Sequence, residues 1–305
     1  LVIQSLQAEL KVFSIRFKPF AEKTITNSRQ GNKKKINDEL KGKRRLMATN
    51  YKNNRFQPVW IVAHRGYRAK YPENTLVSFR AAVEAGAPMI ELDVMLSRDR
   101  KLVVIHDATL ERTTNGSGPV IDYTLEELKQ LDAGSWYHSQ FNGERLPELE
   151  EVLDLVSGKA KINIEIKSNA YEPNHPKDAI ERQILELVKR KKAWSWVLIS
   201  SFDANILKQI SLMENSPAIA LISKTPANSQ TVKLCTRLKV FSWHPNHKIV
   251  SRKQVNMMHA AGIKVFPYNV DRFEDYVKMI NMKVDGIITS DPYSAIGWST
   301  ARRAA

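Results

Sequence analysis

The 305-residue chain has one cysteine, Cys235, so it holds no internal disulfide and suits a reducing compartment. Set among apolar neighbours, Cys235 reads as an inert buried thiol. No Cys or His pair stands at zinc-finger spacing, which argues against structural zinc. No apolar run approaches the roughly 20 residues that a membrane-spanning helix needs. Residues 1–20 are broken by Glu9, Lys11, Arg16 and Lys18, so they lack the apolar core of a secretory signal. Cytoplasm is the default these absences leave. No repeat period of roughly 20–50 residues emerges beyond an alternation of strand-like and helix-like segments.

What is present is ample core material and an uneven charge. Hydrophobic residues make up 43% of the chain, and 47 Lys/Arg against 32 Asp/Glu give a net charge of +15. Residues 1–50 hold 12 basic and 4 acidic residues, so 12 − 4 = +8 arises there and +7 over the rest. This basic stretch is expected to be a solvated, disordered extension, although a basic arm can also touch nucleic acid or an anionic membrane. The chain begins at Leu1, and Met47 stands just before the first strand, so residues 1–46 are expected to lie outside the working protein.

Side chains alternate across a strand, so residues two apart share a face. Near Glu91, Glu91 and Asp93 share one face while Ile90, Leu92 and Val94 share the other. Asn163, Glu165 and Lys167 likewise oppose Ile162, Ile164 and Ile166, and His64 shares a face with Trp60 and Val62. Strands with one aliphatic face and charged ends on the other fit a TIM (β/α)8 barrel, an α/β fold whose polar strand ends open on a catalytic mouth. Strands are expected near 59–63, 89–94, 161–166, 197–200, 218–221, 240–243, 264–266 and 286–289. Helices fit between them at 74–85, 149–156, 176–191, 204–213, 229–237, 252–260 and 272–280. Asp203, Ser229, Ser251 and Asp271 are placed to cap helices, and Gly86 and Gly262 to end them. The turn-rich stretch 108–147 breaks the rhythm and reads as an insertion after the second strand, with a short helix capped by Thr124 and Glu127. The barrel is expected over 57–298 and a tail over 299–305.

The charged strand ends describe one site. Glu91, Asp93 and Glu165 are oxygen donors for a single hard divalent cation, Mg²⁺ or Ca²⁺. His64 and His106 each follow a predicted strand and offer near-neutral imidazoles for proton transfer. Arg65 and Lys167 match an anion. Chemistry needing all of these at once is cleavage of a phosphodiester. Glu73 and Asn74 either cap the following helix or touch the site. His138, His175, His244, His247 and His259 read as packing residues, and Trp136, Tyr137 and Phe141 as packing of the insertion.

The ordered motifs His64-Arg65-Gly66, Pro72-Glu73-Asn74-Thr75, Glu91-Leu92-Asp93-Val94, His106-Asp107, Leu110-Glu111-Arg112-Thr113-Thr114-Asn115-Gly116, Asp132-Ala133-Gly134-Ser135-Trp136 and Asn163-Ile164-Glu165-Ile166-Lys167 resemble the glycerophosphodiester phosphodiesterases. The likeness runs through Ser200-Ser201-Phe202-Asp203, Asn246-His247-Lys248 and Val284-Asp285-Gly286, and is nearest to the cytosolic bacterial enzyme. It implies a TIM barrel with a small insertion after the second strand. It further implies Glu91, Asp93 and Glu165 as metal ligands, His64 and His106 as acid and base, and Arg65 and Lys167 on the phosphate. The expected reaction is metal-dependent hydrolysis of a small glycerophosphodiester to sn-glycerol 3-phosphate and an alcohol, in glycerophospholipid breakdown. A lysophospholipase D-type activity is the alternative, to be favoured by an apolar rim at the mouth. A non-enzymatic barrel that binds phosphate or RNA is the other, and it would have shown a lost site residue. Two positions depart from the pattern. Tyr268-Asn269-Val270-Asp271 stands where family members often have Trp-Thr-Val-Asn, and Ser290 where Asp is usual.

Overall fold

Aliphatic–polar alternation builds the barrel wall in two layers. The computed structural model describes residues 59–303, and the basic 1–50 stretch lies outside the described residues. Ile90, Leu92, Val94, Ile162, Ile164 and Ile166 are buried in a large cluster with helix residues such as Phe79, Leu149, Val152 and Ile184. That cluster is the layer between strands and helices. The alternate strand residues Val62, Met89, Leu198, Ala220 and Ile288 meet Phe266 in a separate, smaller core inside the barrel. At roughly 25 cal/mol per Å² of apolar surface buried, the outer layer supplies most of the drive to fold.

Among the described residues the strands are β1 (Trp60–His64), β2 (Met89–Leu96), β3 (Leu102–Val104), β4 (Lys161–Ile166), β5 (Val197–Ser201), β6 (Ala218–Ser223), β7 (Ser242–Pro245), β8 (Lys264–Val265) and β9 (Gly286–Thr289). The helices are α1 (Leu76–Glu84), α2 (Leu125–Gln130), α3 (Leu149–Val156), α4 (Ile180–Arg190), α5 (Ala204–Ser211), α6 (Ser229–Arg237), α7 (Arg252–Ala260), α8 (Phe273–Asn281) and α9 (Pro292–Arg303). Eight strands run parallel in the order β8-β7-β6-β5-β4-β2-β1-β9. β8 and β9 form no ladder, yet Asp285 N–H donates to Val265 O at 3.0 Å and Ile288 N–H to Pro267 O at 2.9 Å across the seam. The result is the expected TIM barrel, nearly closed.

Several local expectations shift. β3 pairs antiparallel with β2, Val94 opposite Val104, and at three residues it is too short to stand out by alternation. β7 runs Ser242–Pro245, two residues later than the expected 240–243. Asp203 and Ser251 cap α5 and α7 as expected. For α6 the cap is Asn228 rather than Ser229, its side chain accepting from Gln230 N–H and Thr231 N–H. Arg272, not Asp271, occupies the cap position of α8, because the Asp271 carboxylate is held by Ser290 N–H at 2.7 Å.

The excursion between β2 and α3 has its own core of Met95, Val103, Ile105, Leu110, Val120, Leu128, Ala133 and Leu146. α2 carries the expected Thr124–Glu127 capping box. A Cβ on Gly134 would lie 2.0 Å from Phe141 O, so only glycine permits that backbone approach. Phe141 is buried against Tyr71, ring centroids 5.6 Å apart, and Tyr137 packs on Phe141 at 5.8 Å, as packing residues should. Among the described residues no helix is long and apolar enough to cross a membrane.

Candidate active site

The first group of site residues sits on a strained turn. His64 closes β1, and the next residue, Arg65, is left-handed (φ 54°), as is Asn74 (φ 58°). Non-glycine residues there cost about 1–3 kcal/mol each, so the surroundings must hold them. Arg65 N–H donates to Glu91 Oε2 at 2.9 Å, and Asn74 N–H donates to Arg65 O at 3.1 Å. Gly66 lies against α1, where a Cβ would meet Ser78 Oγ at 2.3 Å. Thr75, not Asn74 or Glu73, caps α1 by accepting from Ser78 N–H. Asn74 instead donates from Nδ2 to Asp93 Oδ2 at 2.9 Å, and Glu73 Oε1 accepts from Arg65 Nη1 at 2.8 Å. Both orient the site.

The three acids converge. Asp93 on β2 pairs in register with Glu165 on β4, and Glu91 lies one turn of the pleat earlier. One carboxylate oxygen from each lies within 4.8 Å of the others, at exposures of 3%, 0% and 8% for Glu91, Asp93 and Glu165. Buried carboxylates are costly without compensating charge. Lys167 Nζ supplies part of it, 2.7 Å from Glu165 Oε1 and 3.3 Å from Asp93 Oδ1. Arg65 Nε lies 3.2 Å from Asp93 Oδ2, but its guanidinium is shared with Glu73. The cations do not suffice. Burial and the Asp93 and Glu165 charges push the Glu91 carboxyl well above its ordinary range, and burial with Asp93 raises Glu165. Glu91 Oε1 is buried with no hydrogen-bond partner. An orphaned carboxylate oxygen inside an all-oxygen donor set fits a divalent metal ion.

The two imidazoles flank this cluster in different settings. His64 Nε2 is 3.8 Å from Glu91 Oε2, and burial with the Arg65, Arg68, His106 and Lys167 charges holds it well below the ordinary histidine range. His106 follows β3, and its Nδ1 is hydrogen-bonded to Asp107. Burial also lowers His106, while Asp93 and Asp107 pull it back up. His64, Arg65, Glu91, His106, Glu165 and Lys167 line one pocket of about 900 Å³.

Several residues at or behind this pocket lie outside the set expected from sequence. Asp107 braces His106, and Arg112 from the excursion bonds both Asp107 and Glu73. Their signal was the His106-Asp107 adjacency and a guanidinium within a turn-rich stretch. His244 and His247 both line the pocket although they read as packing. His244 does pack, stacked on Phe266 with centroids 5.5 Å apart, and burial pushes it down to about 3, so it is neutral. Phe202, Ile222, Lys224 and Tyr268 complete the far wall. Trp136, Tyr137 and Phe141 are not among the lining residues.

Residues 64–294 match the model of the Glycerophosphoryl diester phosphodiesterase family. The chain belongs to this family. It is 41% identical over 237 residues to a glycerophosphodiester phosphodiesterase of Caldanaerobacter subterraneus subsp. tengcongensis, covering 77% of this chain and 96% of that one. Among solved structures it resembles an Oleispira antarctica phosphodiesterase in complex with the product sn-glycerol-3-phosphate, with TM-score 0.72 and 29% identity over 78% of this chain and 96% of that one. A glycerophosphodiester phosphodiesterase of Thermotoga maritima gives TM-score 0.65 and 29% identity over 79% of this chain and 98% of that one. The chain is accordingly a glycerophosphodiester phosphodiesterase, acting on a small-molecule substrate.

Proposed function

We propose that the enzyme hydrolyses glycerophosphodiesters to sn-glycerol 3-phosphate and an alcohol, in glycerophospholipid breakdown, with one Mg²⁺ or Ca²⁺ held by Glu91, Asp93 and Glu165. The observation that carries this reading is the buried acidic triad with its unpartnered Glu91 oxygen. The product named for the Oleispira relative agrees with it. When bound, the cation offsets charge on the nonbridging phosphate oxygens.

The chain's own residues do the rest. Arg65 presents a planar fork and Lys167 a point charge to the phosphate, and both are fixed by the acids they pair with. His106, with a carboxylate on Nδ1, is the imidazole better able to carry a proton, so it is assigned to protonate the leaving alkoxide. His64, held neutral by burial and four neighbouring cationic or titratable groups, is assigned to take a proton from the attacking oxygen. That oxygen belongs to water or to a neighbouring substrate hydroxyl. A cytoplasmic location belongs to the same proposal and rests on the lone, buried Cys235.

The lysophospholipid alternative required an apolar rim. Ile121, Trp136, Leu212, Phe241 and Tyr293 are the large exposed hydrophobics among the described residues, and none lines the pocket. Purified protein with Mg²⁺ or Ca²⁺ should release glycerol phosphate from glycerophosphocholine, and EDTA, His64→Ala or Glu91→Ala should each abolish release. Activity indifferent to all three would refute the mechanism.

A further inference from the structure

Behind the reacting groups lies a continuous chain of charged side chains whose middle members, Arg112 and Glu73, the mechanism above does not use. His106 Nδ1 meets Asp107, and the other Asp107 oxygen accepts from Arg112 Nε. Arg112 Nη2 donates to Glu73 Oε1 at 2.7 Å, and the same oxygen accepts from Arg65 Nη1 at 2.8 Å. One guanidinium therefore joins the carboxylate that braces a proton-transfer imidazole to the carboxylate that braces a phosphate-binding guanidinium. The two carboxylates come from distant parts of the chain, one after β3 and one before α1, so nothing local fixes their separation.

The electrostatics match a permanent clamp. Burial works to raise Glu73, but the hydrogen bonds and charges of Arg112 and Arg65 hold it down, at about 2. Glu73 thus stays ionised at any working pH. Hydrogen bonds from Arg112 and His106 likewise keep Asp107 well below the ordinary carboxylate range, against a smaller opposing effect of burial. Two anions and two guanidinium cations close the set. Arg112 is not among the pocket-lining residues, and its side chain is 43% exposed, so it works through others rather than on substrate.

We propose that Arg112 is a positioning residue that couples the two working halves of the site. Through Asp107 it holds His106 with Nδ1 on that carboxylate and Nε2 toward the phosphodiester. Through Glu73 it holds Arg65 with its fork turned to the phosphate. Carboxylate–imidazole pairs fix tautomer and ring orientation in this way, and loss of such a support costs on the order of 10–100-fold. A lysine cannot replace it, because one ammonium lacks the planar fork that reaches both carboxylates. The inference rests on the assignment of His106 and Arg65 to the reaction.

The test uses full-length enzyme loaded with Mg²⁺ or Ca²⁺, four single variants and one double variant. Arg112→Ala is expected to lower kcat about 10–100-fold, and Arg112→Lys to recover less than half of that loss. Asp107→Asn should lower kcat with little change in KM, and Glu73→Gln should mainly raise KM. Adding Arg112→Ala to Asp107→Asn should then cost much less than it does alone. Guanidinium ion at millimolar concentration should restore part of the Arg112→Ala activity and none of the Asp107→Asn loss. Independently of turnover, imidazole nitrogen shifts by NMR should show His106 protonated on Nδ1 in the parent and a tautomer mixture in Arg112→Ala. An Arg112→Ala enzyme within twofold of the parent, or a loss that guanidinium leaves untouched and that follows unfolding in circular dichroism, overturns the proposal. If the parent itself cleaves no diester, the functional reading fails, while the His106 tautomer still decides the role of Arg112.

Discussion

The two halves of the barrel mouth are built on different rules. The half formed by β1, β2 and β4 is crowded with charge, and the two cations that line the pocket there are each shared between carboxylates: Lys167 between Asp93 and Glu165, Arg65 between Asp93 and Glu73. The half formed by β6, β7 and β8 presents Ile222, His244, Asn246 and Tyr268, with Lys224 and Lys248 at its edge. Its buried histidine is neutral, and Phe202 and Tyr268 meet edge to face with centroids 6.3 Å apart. The first half can bind an ion and move protons. The second gives shape and hydrogen bonds, with two lysines at its edge. The difference fits our proposal that chemistry belongs to one side and recognition to the other.

Substitutions can break this division, beginning where the effect is largest. Glu91→Ala, Asp93→Ala or Glu165→Ala should each reduce kcat by about a thousandfold or more, since metal stabilisation of the transition state is worth several kcal/mol. Steady-state turnover with saturating cation reads it. His106→Ala should lower kcat by about 10²–10⁴-fold, the usual worth of a general acid. On the opposite wall Tyr268→Ala should raise KM by about tenfold with kcat within roughly threefold, as expected for a contact made equally in ground and transition states. A large kcat loss there would erase the contrast.

The smallest effect concerns stability rather than turnover. His244 is held at about 3 in the folded chain, below the ordinary histidine value, by burial. The unfolded chain therefore takes up a proton first as pH falls. The stability His244 contributes is present above about pH 6.5 and is lost progressively as the pH drops toward 3. His244→Gln should flatten the decline of the urea midpoint between pH 6.5 and 4 relative to the parent, within the range where the protein folds reversibly.

The same contrast explains what could be read from sequence. The charged half was legible because its chemistry restricts residue type, and alternation on β2 and β4 put Glu91, Asp93 and Glu165 on the inner face. The barrel followed from the opposite faces, where Ile90, Leu92, Ile162 and Ile164 meet the helices. The recognition half was not legible. His244 is stacked on Phe266 and lines the pocket at once, so its setting in the sequence looked like packing and was packing. Glu73 and Asn74 were placed at the site but without their roles, because only the left-handed turn brings Asn74 to Asp93 and Glu73 to Arg65. Asp107 and Arg112 went unassigned for a related reason, since their partners are distant in the chain. β3 escaped because three residues carry no period, and the α6 cap fell one residue early because Asn228 and Ser229 are both good caps.

The central claim is that three buried carboxylates make one cation site. Calorimetric titration of metal-free protein with Mg²⁺ or Ca²⁺ tests it most directly, with Glu91→Gln and Glu165→Gln alongside. The account predicts one ion per parent chain, and binding weakened by at least about tenfold in each variant. Equal affinity in the parent and both variants would contradict it.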